Sequence, residues 1–102
     1  MTDFTKRLRW CIKHGDMTVA DLHHWFERPR STVRTWVLHA RIPGGPAAAK
    51  ACLLLDLLEG RIKKRRGFPI PADLSWFDRP DYVKKLRHDT AGARLSTPHS
   101  TG

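Results

Sequence analysis

The stretch "TVADLHHWFERPRSTVRTWV", Thr18 to Val37, decides how this chain folds. Thr18 followed three positions later by Asp21 has the pattern of a capping box, in which hydroxyl and carboxylate each take one of the orphan N–H groups at a helix start. Val19, Leu22 and Phe26 then recur at helical spacing and form an inner stripe. Pro29 ends this helix, because it has no N–H to donate and biases Arg28 away from helical angles. Another helix starts at once, with Val33, Trp36, Val37 and Ala40 on one face, and Ile42-Pro43-Gly44-Gly45 stops it. Its opposite face carries Ser31, Arg34, Thr35 and Leu38, flanked by Arg30 and Arg41.

Outward from this pair, Phe4, Leu8, Cys11 and Ile12 predict a helix over Asp3 to His14, with His14-Gly15-Asp16 as its stop. A further helix is expected from Pro46 to Glu59. Its Ala51, Leu53, Leu54, Leu55, Leu57 and Leu58 cover about half the circumference, more than the ~100° stripe of an ordinary surface helix. The excess predicts burial by a second subunit, with Leu53 and Leu57 on that surface. "RIKKRRG", 61 to 67, puts five basic residues into six positions and reads as a linker or frayed helix end. Beyond it, Phe68, Ile70, Leu74, Trp76, Phe77, Tyr82, Val83 and Leu86 are too many large apolar groups for a disordered tail. That segment should dock, with a turn near Asp73 to Phe77 and a helix from Pro80 to Arg87. Trp76, Phe77 and Tyr82 are its candidates for a dimer or partner surface. The end, "DTAGARLSTPHSTG", is small and polar and reads as a flexible tail.

Nineteen Lys plus Arg against ten Asp plus Glu give a net charge of +9 over 102 residues. Residues 1–44 carry eight basic and four acidic groups, 45–71 carry six and two, and 72–102 carry five and four. The excess sits in the first seventy residues and favours a polyanionic partner. The longest apolar run, "ACLLLDLL" at 51 to 58, is broken by Asp56 and falls short of the ~20 residues that spanning a bilayer needs. The N-terminus lacks the apolar core of a secretory signal, so a cytoplasmic location and no membrane partner are expected.

Other chemistries find little support. Cys11 and Cys52 cannot make a disulfide framework, and Cys11-x-x-His14 has no second pair to complete a zinc spacing. "PGGPAAAK" lacks the Gly-Lys-Ser/Thr of a phosphate loop, and no serine sits in a nucleophile elbow. No metal, no cofactor and no enzymatic activity are therefore expected. Trp36 reads as core, whereas Trp10 and Trp25 fall toward helix flanks, where they either pack or stack on a partner.

Thr18 to Val37 resembles, without a gap, the helix-turn-helix unit of Cro-like and phage-repressor-like transcription regulators. The matched features are Thr18 opening the first helix, Leu22 and Phe26 inside, the "RSTV" start of the second, and Trp36 closing the core. The resemblance implies that the second helix, about 30–41, enters the major groove of DNA while the first crosses above the backbone. Arg30, Ser31, Arg34, Thr35 and Leu38 then fall where bases are read. Thr18, Arg28 and Arg41 fall near phosphates, joined by Arg61, Lys63, Lys64, Arg65 and Arg66 of the basic run. Three positions depart from the pattern: His23 stands for a usual Ala, Glu27 for a usual Gly, and Pro29 for a capping Ser or Thr. Glu27 in place of a residue suited to positive φ predicts a different turn.

The expectation is an all-α protein, a small helical bundle of four to five helices containing a helix-turn-helix, with a C-terminal docking segment. Residues 1–60 form the DNA-binding domain, 61–67 a basic linker, 68–88 the docking or dimerisation segment and 89–102 the tail. The resemblance implies a homodimeric repressor of phage or mobile-element origin that binds double-stranded DNA and is nucleoid-associated when bound. The alternative is a DNA adaptor or assembly protein for packaging, replication or recombination, or a binder of a host protein through the segment after residue 68.

Overall fold

A computed structural model describes the backbone of residues 3–100 and the side chains of residues 3–90. It is all-helical, with five helices and no strand among the described residues. They are α1 (Asp3–Gly15), α2 (Val19–Phe26), α3 (Arg30–Leu38), α4 (Pro46–Lys63) and α5 (Arg79–Ser100). Of the tail expected over 89–102, the side chains from 91 onward lie outside the described residues.

In α1, Asp3 sits in the first turn and Lys13 in the last, charges that complement the helix dipole. Its buried side is Phe4, Thr5, Leu8 and Cys11, ending at Gly15. A Cβ at Gly15 would lie 2.9 Å from Ile62 Cδ1 of α4, so glycine lets this side-chain tip approach α1 without shifting. The helix closes with Asp16 in the left-handed region (φ 55°) and the Met17 N–H donating to the Ile12 carbonyl at 3.1 Å. Burial pushes the Cys11 thiol up to about 12, so it stays protonated packing material.

The capping box forms as expected: Thr18 Oγ1 accepts from the Asp21 N–H, and Asp21 Oδ2 accepts from the Thr18 N–H at 2.8 Å. Asp21 is buried and also takes Arg79 Nη2 of α5 at 2.6 Å, so this carboxylate is surrounded by donors. The same pairing holds the Arg79 guanidinium charged. At the other end of α2, Arg87 Nη2 of α5 lies 2.8 Å from Glu27 Oε1. The two arginines therefore lay α5 along α2 from Asp21 to Glu27.

Trp25 corrects the expectation of a flanking aromatic. It is fully buried, its indole Nε1–H donates to the Leu54 carbonyl at 2.8 Å, and Phe68 meets its ring edge-on at 6.2 Å. The reason is that α2 is covered on two sides, by α3 and α4 and by α5, rather than on one stripe.

Pro46 begins α4 at a position where its missing N–H costs nothing, and the helix continues four residues past the expected Glu59. Ala51, Leu54, Leu55, Leu58 and Ile62 are its buried face. Arg7 of α1 ties α4 down by a fork onto Glu59 (Nε to Oε2 3.0 Å, Nη2 to Oε1 2.6 Å) and by a further bond to Asp56. Phe68, Ile70 and Val83 join the same core as Leu22 and Leu55, and the Ile70 N–H donates to the Gly15 carbonyl at 3.0 Å. The short turn near Asp73 to Phe77 is present, and α5 begins at Arg79, one residue ahead of the expected Pro80, but its backbone runs to Ser100, thirteen residues past the expected Arg87 and through most of the segment read as a flexible tail.

Candidate nucleic-acid interface

The position of α3 is fixed from within. Val33, Trp36 and Val37 are buried, and Phe4 and Phe26 stand edge-on to Trp36 at 5.5 and 5.6 Å, both at 86°. Such an aromatic cluster locks rotation of the helix about its own axis. Three of its last four carbonyls have partners: Thr35 O takes the His39 N–H at 2.9 Å, Trp36 O takes Thr5 Oγ1 at 2.6 Å, and Val37 O takes Arg9 Nε at 3.0 Å. The Arg9 charge also complements the negative end of the helix.

The start of α3 is built differently. Pro29 is its N-cap, with no side-chain hydrogen bond, and the Val33 N–H donates to the Pro29 carbonyl at 3.1 Å. Arg28 and Arg30, both exposed, flank this end. An uncapped helix N-terminus beside two cations suits an anionic oxygen.

The turn before α3 overturns one expectation. Glu27 does adopt the left-handed conformation (φ 54°, ψ 45°), so the turn keeps the form in which glycine is usual. Its N–H donates to the His23 carbonyl, and its carboxylate pairs with Arg87. His23 braces the same turn, its Nδ1 lying 2.5 Å from the Arg28 carbonyl, which requires the proton on Nδ1. The larger residues at 23 and 27 are thus used as ties across the break.

On the outer side of α3, Arg30, Ser31 and Arg34 are exposed and Leu38 is 49 % exposed. Thr35 is half-buried and its hydroxyl donates to the Thr32 carbonyl at 2.7 Å, leaving it able to accept only. The helix ends at Leu38, not near 41 as expected, because Ala40 takes a left-handed backbone (φ 55°); Arg41 is exposed beyond it. Thr18 is exposed, yet its hydroxyl is already engaged by Asp21 within the capping box.

The basic run divides. Arg61 is half-buried and bonds the Thr90 hydroxyl and the Arg66 carbonyl, so it braces α4 against α5. Burial, and then the charge of Arg66, lower its pKa. Lys63, Lys64, Arg65 and Arg66 are exposed, with Lys63 Nζ 5.7 Å above the Trp10 ring. Lys63 meets α1 at Trp10, whereas α3 meets it at Thr5 and Arg9.

One contribution escaped the sequence. Lys84 of α5 is exposed and acts on His24 together with Arg30, so the positive field beside the start of α3 includes α5. His24 has its pKa lowered, first by burial, then by His23 and Lys84, against an opposing effect of Asp21. Nothing local to "YVKKL" signals this, because it depends on α5 lying along α2.

The candidate partner surface also divides. Leu53 and Leu57 are half-buried, and Tyr82, likewise half-buried, donates its hydroxyl to the Gly67 carbonyl at 2.6 Å. Trp76 and Phe77 are 75 % and 90 % exposed.

Among the described residues no helix is long and apolar enough to cross a membrane. No protein-family model, curated protein or solved structure matches the chain.

Proposed function

We propose that the protein is a sequence-specific binder of double-stranded DNA that regulates transcription by laying α3 in the major groove. The observation behind this reading is the division of α3: Arg30, Ser31, Arg34 and Leu38 are exposed opposite the buried Val33, Trp36 and Val37. A groove ~12 Å wide admits such a helix, and the polar side is the one left to face base edges. Arg30 or Arg34 donates a bidentate pair to guanine O6 and N7, Ser31 bonds a base edge or phosphate, Thr35 accepts from a base amino group, and Leu38 meets a thymine methyl. Arg28 and Arg41, beside the two ends of α3, hold phosphates, and Lys63 to Arg66 add a less specific attraction. One helix of this length reads only a few base pairs, so the protein acts as a homodimer on paired half-sites. It works in the cytoplasm, on the nucleoid, and represses by occupying promoter DNA.

Selection of bound fragments from a random DNA pool tests this. The wild-type protein should return a defined, two-fold-symmetric site, and Arg30→Ala and Arg34→Ala should each relax preference at a few positions within it. If both variants return the wild-type site unchanged, α3 is not the reading helix.

A further inference from the structure

We infer that His24, set between Lys84 of α5 and Arg30 of α3, takes up a proton to hold a backbone phosphate of DNA, so that α5 shares the nucleic-acid interface and acid strengthens binding. This rests on the DNA reading proposed above, but not on which bases α3 contacts.

The placement follows from how α5 is docked. Arg79 reaches Asp21 at 2.6 Å and Arg87 reaches Glu27 at 2.8 Å, so the stretch from Arg79 to Arg87 runs abreast of Asp21 to Glu27. Residue 84, rather more than halfway between the two anchors, falls level with residues 24 and 25. Trp25 is turned into the core, and His24 is half-buried at its edge. Val83 is buried against α2, whereas Lys84, next to it, is exposed. On the far side of the Pro29 break, Arg30 is exposed at the start of α3. The ring of His23 lies 4.4 Å from that of His24 and is held in place by its bond to the Arg28 carbonyl. Three helices thus bring basic groups to one patch.

The charges that act on His24 are Lys84 from α5, Arg30 from α3, and His23 and Asp21 from α2 itself. Asp21, the one anion of the four, is buried and already bonded to Arg79 and to the Thr18 N–H. Among the described residues neither the Lys84 nor the Arg30 side chain makes an ion pair. Burial, then His23 and Lys84, lower the pKa of His24, so the free protein resists a further positive charge there. A phosphate oxygen reverses the balance. It offsets Lys84 and Arg30 and accepts a charge-assisted hydrogen bond from the imidazolium N–H. The proton comes from solvent, and the phosphodiester, a strong acid, stays anionic. A group that binds its proton more tightly in the complex than in the free protein makes the complex stronger as pH falls. The effect on DNA binding is therefore opposite in sign to the effect of the same proton on folding.

Fluorescence anisotropy with a labelled mixed-sequence duplex tests this, because phosphate contacts carry no base information. Between pH 7.5 and 5.5 at constant ionic strength, the ratio of wild-type to His24→Gln affinity should grow by about three- to tenfold. The remaining histidines are common to both proteins, so the ratio isolates residue 24. Lys84→Gln should lower affinity and reduce the slope of log affinity against log salt by about 0.9, the value of one phosphate. Glutamine suits a helix at both positions, so helical circular dichroism should not change. In NMR titrations the His24 imidazole should protonate at higher pH in free Lys84→Gln than in the free wild type, and at higher pH in the wild-type complex with the duplex than without it. An affinity ratio that is constant with pH, a salt slope indifferent to Lys84→Gln, or a His24 titration unmoved by Lys84→Gln or by DNA would each overturn the inference, whatever sites the fragment selection returns. A wild-type protein that binds no duplex at any of these pH values overturns this inference and the preceding reading together.

Discussion

Thr5 on α1 donates its hydroxyl, at 2.6 Å, to the carbonyl of Trp36 near the end of α3, thirty-one residues away. The bond is buried, and with Arg9 on Val37 it makes α1 the cap of the proposed reading helix. Thr5→Val keeps the shape and removes the donor, leaving a buried carbonyl unsatisfied. The expected loss is about 1–3 kcal/mol of stability, read by urea unfolding. An unchanged unfolding midpoint would show that the carbonyl finds water instead.

Glu27 holds a backbone conformation that costs a non-glycine residue ~1–2 kcal/mol, and the ion pair it makes with Arg87 involves a largely exposed carboxylate. Glu27→Gly relieves that strain but leaves the largely buried Arg87 guanidinium without its carboxylate, so the two effects should nearly cancel and the melting temperature should hardly move. A lower melting temperature would mean that the Arg87 tie outweighs the backbone strain.

Asp21 collects Thr18 and Arg79 in a buried position. Asp21→Ala strands the Arg79 guanidinium and opens the start of α2, and it should cost about 3 kcal/mol or more by denaturant titration. Thr18→Ala removes only the hydroxyl half of the cap and should cost ~1 kcal/mol.

His24 gives a pH dependence of known sign. Burial and neighbouring cations hold its pKa below the ordinary 6.5, so the unfolded chain binds this proton more readily than the folded one. Its contribution to stability is complete above pH 6.5 and is lost as pH falls below that value. Melting temperatures measured from pH 7.5 to 5 should fall less steeply in His24→Gln than in the wild type.

Lys63 and Lys64 are exposed at the end of α4. Replacing both with Gln should lower DNA affinity evenly across sequences and reduce the slope of log affinity against log salt by up to ~0.9 for each phosphate no longer neutralised. Arg61→Gln should instead act mainly on stability, because that side chain braces α4 against α5.

What is legible in the sequence is local. The Thr18–Asp21 box, the break at Pro29 and the buried Val33, Trp36 and Val37 of α3 each depend on residues within one or two turns and appear where the chain pattern places them, whereas α3 ends at Leu38, short of the expected 41, and leaves Ala40 outside the helix. Trp25 departs from its local pattern because its partners, the Leu54 carbonyl and Phe68, are distant in sequence and bury a second side of α2. Glu27 misleads for a related reason. Residue preference argues against its left-handed backbone, while the ties that hold it come from His23 behind and Arg87 on α5. Lys84 enters the field around α3 by the same route, through a docking that no local pattern announces.

The pinning of α5 along α2 by Arg79 and Arg87 bears on how such a chain can diversify. A fragment cut at Gly60 would keep every residue of α3 yet uncover Trp25, strip Asp21 of its cation and lose Phe68, Ile70 and Val83 from the shared interior. The helix pair is therefore no cassette to be moved between hosts with its preferences intact. On the function proposed above, new specificities would come from single exchanges on the outer side of α3, with the whole chain kept as the scaffold beneath.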